Sequence, residues 1–434
     1  MERVDAGQQE QKEDEGGAIV AQSSGVHGVV SEGNQERKGG TFLFHSRWRR
    51  FRRVKFLPGM LVKSSGKSES GTASALDFIV PMAKPPSSAI GIDVGRHSMK
   101  AVLLQRRGSS RLVLTHFAVK EIPEGENALE KLEENLRTLM CELGGSAKAC
   151  GIAVSSPDAL VRIIEQNTIP PELLRDALRI NGPLLLSQDC RDWVIDCEAV
   201  SSNQPAAPAP GDAAAVPDRA AMVHYLVGGL PREQVAKVYD ACTKNKLPAT
   251  VFQLPPVALL NAFEYANESV FQKEAFVLAD IGHRASTVIM GAKGELVFIR
   301  TLDYGGAHFA EQLILQGASS FEEVTTFLEQ EEVLTVENAR LSLGELVHSI
   351  SSSIGFFEAQ REEDIPRVYV SGGLAKLPAV LKVLSEELHL PCETWDPLAA
   401  VELNLPKMRI AALGPCLPVL GTACGVAMEI LKGR

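Results

Sequence analysis

The chain has 434 residues, 45% of them hydrophobic and 23% charged, with a formal net charge of −10. That length supports two or three domains with a sizeable core, the composition is that of an ordinary globular protein, and the acidic balance argues against nucleic acid as a general partner. Eight cysteines occur without a Cys-x-x-Cys pair or a His/Cys cluster at ligand spacing, so zinc and iron–sulfur centres have no support and a reduced cytosolic setting fits best.

Residues 1–87 read as a disordered tail, rich in Gly, Ser, Gln and Glu and without sustained periodicity. They begin polar and acidic, unlike a secretory signal. Within them, Arg47-Trp48-Arg49-Arg50-Phe51-Arg52-Arg53-Val54-Lys55-Phe56 has three readings: a segment for an anionic membrane surface or nucleic acid, a solvated basic tail, or sequence upstream of the natural start, Met82 being the candidate. From Ser88 the pattern runs strand, glycine turn, strand, with a third strand near Leu112–Val119. A helix over Ala128–Leu143 puts Leu129, Leu132, Leu136, Leu139 and Leu143 on one face, and a strand follows at Ala149–Ser155. That order begins a ribonuclease-H-like lobe, residues 88–157.

Residues 158–243 form an insertion. Strands are expected near Leu160–Ile164, Trp193–Val200 and Ala220–Leu226, with helices at Pro170–Ile180 and Pro231–Asn245 and a Pro/Ala-rich loop at Ser201–Asp218. The result is a small α+β subdomain. A second lobe, 244–434, repeats the first in outline: a helix from Pro256, a second hairpin over Ala275–Thr301, a helix at His308–Leu315, an acidic stretch Phe321–Glu332, a long helix from Val336, a strand Arg367–Ser371 and a helix Pro378–Leu388. Its C-terminal helix is expected to return to the first lobe. Ile410–Met428 is uncharged, but Pro415, Pro418 and three glycines favour a loop followed by a buried helix over a membrane span.

The chemistry lies in one pattern written twice. Ile92-Asp93-Val94-Gly95-Arg96-His97-Ser98-Met99-Lys100 is matched, 187 residues further on, by Ala279-Asp280-Ile281-Gly282-His283-Arg284-Ala285-Ser286-Thr287. In each, an aliphatic strand ends in Asp, a glycine turn follows and a second strand leaves. Gly95 and Gly282, read as accepting positive φ, permit tight turns whose N–H groups converge on an anion. Asp93 and Asp280 are candidates to hold the water shell of magnesium, and Lys100 adds a positive charge for phosphates. Arg96-His97 and His283-Arg284 add anion contacts, crowd the site or are simply solvent-facing turn charges.

With Val370-Ser371-Gly372-Gly373 as a third signature, these motifs resemble the actin/hexokinase/heat-shock-chaperone ATPase superfamily. More narrowly, Ile90-Gly91-Ile92-Asp93-Val94-Gly95 through Val102, Arg162-Ile163-Ile164, the Pro170–Ala177 segment and the Pro/Ala-rich loop resemble the PilM family of type IV pilus assembly proteins, from about residue 88 onward. The resemblance implies an actin-like ATPase fold of two ribonuclease-H-like lobes with ATP and magnesium between them. By position it puts Gly95, Ser98 and Lys100 on phosphate oxygens, Gly282 and Thr287 opposite, Gly305 and Gly306 at the cleft border, and Gly372 and Gly373 beside the adenosine. It also implies a cytoplasmic adaptor on the inner face of the inner membrane. Such a protein grips the N-terminal peptide of a PilN-like membrane protein through the inserted subdomain and works with pilus motor or platform proteins. Phe321-Glu322-Glu323-Val324-Thr325-Thr326-Phe327-Leu328 departs from the family's purine-contacting Glu and Lys, and Asn181-Gly182-Pro183 breaks a helix the family continues. Hydrolysis would require a residue to position water; Asp158, after the Ala149–Ser155 strand, is the candidate. A small-molecule kinase of the same superfamily and a scaffold without nucleotide are the alternatives.

Overall fold

The protein is described from a computed structural model covering residues 86–108, 110–123, 128–200, 222–317 and 336–432. The tail through residue 85, the Ser201–Asp218 loop and the Phe321–Leu328 segment lie outside the described residues.

Strands β1 (Ser88–Val94), β2 (Ser98–Arg107) and β3 (Arg111–Glu121) form an antiparallel meander, and helix α1 (Leu132–Leu143) returns the chain to β4 (Ala149–Val154), parallel to β1. Buried Leu132, Leu136, Leu139 and Leu143 give α1 its apolar stripe, and Gly144, at φ 69°, ends it. The helix begins at Leu132 rather than at the expected Ala128.

The insertion supplies β5 (Leu160–Asn167), α2 (Pro171–Ile180), the single turn α3 (Gly182–Leu185), β6 (Trp193–Ala199) and β7 (Met222–Pro231), which pair in the antiparallel order β5-β7-β6. This sheet has its own core, including Leu174, Leu178, Trp193, Ile195 and Tyr225. Helix α4 (Arg232–Lys244) and strand β8 (Ala249–Gln253) lead back, β8 lying parallel to β4.

Helices α5 (Pro255–Ala266) and α6 (Glu268–Lys273) precede the second meander, β9 (Ala275–Ile281), β10 (Ser286–Ala292) and β11 (Glu295–Leu302). Next come α7 (Gly306–Leu315), α8 (Val336–Arg361), β12 (Val368–Gly372), α9 (Pro378–Leu388), β13 (Cys392–Thr394) and β14 (Glu402–Leu403). The first sheet runs β14-β3-β2-β1-β4-β8 and the second β11-β10-β9-β12-β13. Apart from the edge strand β14, the two share one plan: a meander whose first strand also pairs in parallel with the next strand of the lobe.

The chain closes with α10 (Lys407–Leu413), a 3-10 turn at Gly414–Cys416 and α11 (Leu417–Lys432). The loop expected around Ile410 is therefore helical. Pro406 stands just before α10, Pro415 within the 3-10 turn and Pro418 in the first turn of α11, places where a missing N–H breaks no intrahelical bond. Lys407–Lys432 is long and apolar enough to cross a membrane. Every residue from Leu420 to Leu431 is nevertheless buried in the protein.

Helix α11 packs on β1, β2 and β4 and on α5. It covers one face of β1, whose residues from Ala89 to Val94 are all buried. Helix α5 in turn meets the second sheet: Phe263 lies 4.9 Å from both Phe276 and Tyr369 and 5.3 Å from Trp395, ring centre to ring centre. Helices α11 and α5 thus lie between the two sheets. The eight cysteines are all free thiols.

Candidate functional site

The duplicated motifs occupy matching positions in the two sheets. Asp93 pairs across β1–β2 with Lys100, and Asp280 across β9–β10 with Thr287. On the other side, Asp93 neighbours Ala153 of β4 and Asp280 neighbours Ser371 of β12. Each glycine turn therefore caps a strand end next to a parallel neighbour.

The turn glycines are required for a reason other than the expected one. Neither Gly95 nor Gly282 takes a positive φ. A Cβ on Gly95 would lie 2.7 Å from the Ser98 carbonyl oxygen, and one on Gly282 would lie 2.6 Å from that of Ala285. The hairpins are too tight for a side chain. Gly372 does adopt a positive φ, 93°, and a Cβ there would come within 2.1 Å of the Ile281 carbonyl oxygen. Its glycine is demanded by the neighbouring strand; Gly373, beside it, is exposed.

Asp93 accepts a hydrogen bond from Lys100 Nζ at 3.1 Å, an ion pair in which the two side chains are 9% and 12% exposed. Lys100 also donates to the Ser98 carbonyl, at 3.3 Å. Asp280 accepts from Ser371 Oγ at 2.7 Å. Burial pushes the Asp280 carboxyl up; the Ser371 hydrogen bond opposes this, the Asp93 charge adds to it and Lys100 opposes it. The two carboxylates thus act on one another across the lobes. The sequence marks Ser371 only as part of the Val370–Gly373 signature, with no role of its own, although its place beside Asp280 repeats that of Ala153 beside Asp93.

The turns themselves meet. The His97 and His283 rings stack with centres 4.8 Å apart and an interplanar angle of 16°. Burial, then the charges of His97, Arg284, Arg96 and His308, lower the His283 pKa from its usual 6.5 to about 4. An unfolded chain therefore takes up a proton below pH 6.5 that the folded chain refuses until about pH 4. The stability carried by the neutral ring is present above that window and lost as pH falls through it. We expect the urea midpoint to drop more between pH 7 and pH 4.5 in the native protein than in His283→Gln; equal drops would remove His283 as the cause.

The second turn is tied to α7. Gly306 N–H donates to the Gly282 carbonyl at 2.9 Å and Ala307 N–H to the His283 carbonyl at 2.7 Å, so these helix-terminal donors bind the turn. A Cβ on Gly305 would lie 2.6 Å from the His283 carbonyl oxygen, and the Gly305 N–H donates to His308 Nδ1 at 3.3 Å. Asp158 lies on the turn after β4. It is exposed, and its carboxylate accepts a hydrogen bond from the Gln234 amide of α4 at 2.6 Å.

Oxygen donors of Asp93 and Asp280, with the Lys100 charge beside them, have the chemistry of a hydrated magnesium–phosphate site. Gly95 and Gly282, which carry no side chain, are both part-exposed there. The residues fit the group.

The family described as Type IV pilus assembly protein PilM matches residues 212–431, just over half of the chain. Among solved structures, one described as a PilM–PilN type IV pilus biogenesis complex is 21% identical, with a TM-score of 0.66 over 79% of this chain and 98% of that one. Ethanolamine utilization protein EutJ from Carboxydothermus hydrogenoformans is 15% identical, with a TM-score of 0.44 over 80% of this chain and 91% of that one. An archaeal actin homolog, Ta0583, is 11% identical, with a TM-score of 0.39 over 78% and 98%. No curated protein matches the sequence. The fold is that of the actin-like ATPases, as the sequence reading expected.

Proposed function

Because this chain belongs to the type IV pilus assembly protein PilM family, we propose that it is a cytoplasmic, nucleotide-binding adaptor of a type IV pilus, or type II secretion-like, inner-membrane platform. ATP with magnesium binds between the lobes, and the inserted subdomain takes the cytoplasmic N-terminal peptide of a PilN-like membrane protein, which holds the adaptor at the inner face of the membrane. The observation that carries the nucleotide reading is the juxtaposition of the two Asp-Gly turns. Asp93 and Asp280 would hold the hydrated magnesium, which would offset phosphate charge. Lys100 and the N–H groups around Gly95 and Gly282 would orient the phosphates, with Ser98 and Thr287 beside them.

The partner reading is supported by the family and by the separate core of the β5-β7-β6 sheet. Leu173, Ile180 and Leu184 of α2 and α3 are 62%, 73% and 84% exposed, an apolar surface on that subdomain. Asp158 is the residue proposed to position water, and its engagement with Gln234 favours slow turnover over rapid hydrolysis. One observation favours the scaffold reading instead: the His97–His283 stack stands between the two turns.

Calorimetric titration of the full chain with ATP and magnesium, together with fluorescence titration by a PilN-like N-terminal peptide, tests both limbs. Lys100→Ala is expected to weaken ATP binding by about 30-fold, the scale of one charge-assisted hydrogen bond, with peptide affinity unchanged. ATP binding unaltered by that substitution would take Lys100 out of the site. A peptide that fails to bind with or without nucleotide would end the adaptor reading.

A further inference from the structure

Basic groups converge on the junction of the two turns. Arg96 and His97 come from the first, His283 and Arg284 from the second, and His308 from α7 stands close enough for its charge to bear on His283. The carboxylates nearby are already engaged, Asp93 with Lys100 and Asp280 with Ser371. Among the described residues, neither Arg96 nor Arg284 forms an ion pair with a carboxylate of the chain. Both arginines and His97 are exposed. A chain of net charge −10 thus presents, at one point between its lobes, two exposed guanidiniums beside three imidazoles.

We propose that Arg96, His97, His283 and Arg284 form a clamp for a polyphosphate, which enters by parting the His97–His283 stack and is held by the two guanidiniums and the imidazole N–H groups without magnesium. The proposal rests on the nucleotide reading above and deepens it. A phosphate group cannot lie between two rings whose centres are 4.8 Å apart, so the stack and the bound anion exclude one another. Once parted, each imidazole turns an N–H toward the anion, and each guanidinium offers a planar pair of donors to phosphate oxygens. The stack is then the closed form of the same site, with ring–ring contact replaced by ring–phosphate contact. A nucleoside triphosphate and free tripolyphosphate share this chemistry.

Calorimetry on the full chain distinguishes them, with ATP, tripolyphosphate and AMP each titrated in magnesium and in EDTA at pH 7. ATP and tripolyphosphate are expected to bind in EDTA within about tenfold of their affinity in magnesium, and AMP not to bind. Tighter binding of ATP than of tripolyphosphate would identify the nucleotide as the ligand, and equal binding the free polyphosphate. The double variant Arg96→Gln/Arg284→Gln, at two exposed positions, should lose about 100-fold in EDTA while keeping the native melting temperature. The His97→Ala variant removes the stack and reports separately on its opening: it should speed association of ATP in stopped-flow fluorescence. Loss of all ATP binding in EDTA, failure of tripolyphosphate to bind, or unchanged affinity in the double variant would overturn the clamp. Magnesium-dependent ATP binding that ignores the arginines would overturn it while leaving the proposed function standing.

Discussion

Gly425→Ala is expected to lower stability by about 3 kcal/mol or to prevent folding altogether, seen as a large fall in the urea midpoint. A Cβ at this position would lie 1.7 Å from the Ala258 carbonyl oxygen and 2.6 Å from its carbon, so α11 would have to back away from α5. It has nowhere to go. On its other side a Cβ at Gly91 of β1 would meet the Ala423 carbonyl oxygen at 2.0 Å, which shows how closely helix backbone is pressed against strand backbone there. Helix α11 is thus fixed between backbone on two sides, and a methyl group cannot be absorbed by a side chain turning aside. Gly344→Ala in α8 is the control: the site is exposed, nothing lies within 4 Å of the added Cβ, and helix propensity should raise stability by about 0.5–1 kcal/mol. A Gly425→Ala protein as stable as the native one would refute the close approach of α5 and α11.

Arg175→Ala should loosen the inserted subdomain selectively. Arg175 of α2 donates to Asp196 Oδ1 at 2.9 Å, and Asp196, in the middle of β6, is 3% exposed. The Cys197 N–H also donates to that oxygen, at 3.0 Å, but a neutral donor is a poor substitute for a guanidinium. Removing the cation from a buried pair costs about 3 kcal/mol, because the remaining charge stays desolvated. Since the β5-β7-β6 sheet has a core of its own, the effect should be local. Hydrogen exchange should accelerate in β5, β6 and β7 and not in β1 or β9. Uniform acceleration across both lobes would show that the subdomain is not an independent unit, and no acceleration would show that the pair contributes nothing. If the subdomain takes a partner peptide, the same variant should lose peptide binding before it loses nucleotide binding.

The duplicated turns were legible in the sequence because each is local: an aliphatic strand, an Asp, a glycine and a second strand within eleven residues or fewer. The order of the longer strands followed from the same periodicities, while the short β13 and β14 carry too few residues to show one. What was misread was the physical demand at Gly95 and Gly282, where the crowding carbonyl three residues on, and not positive φ, excludes a side chain. The helix at Lys407–Leu413 was missed because prolines and glycines around it were read as breakers, although their positions suit helix starts. The His97–His283 stack and the Ser371–Asp280 hydrogen bond join residues 186 and 91 apart in the chain, and no local pattern announces such pairs. His97 and His283 were picked out as unusual turn residues. Their contact could emerge only once two sheets and two intervening helices had set the distance between the turns.

The bonds from Gly306 and Ala307 to the carbonyls of Gly282 and His283 couple the second turn rigidly to α7. A helix of ten residues is about 15 Å long. Anything that displaces His283 therefore swings that rod, and a small rotation at its Gly306 end becomes a larger excursion at Leu315, which is 78% exposed. Movement at the second turn is in this way geared to the far surface of the lobe, with the helix as pointer.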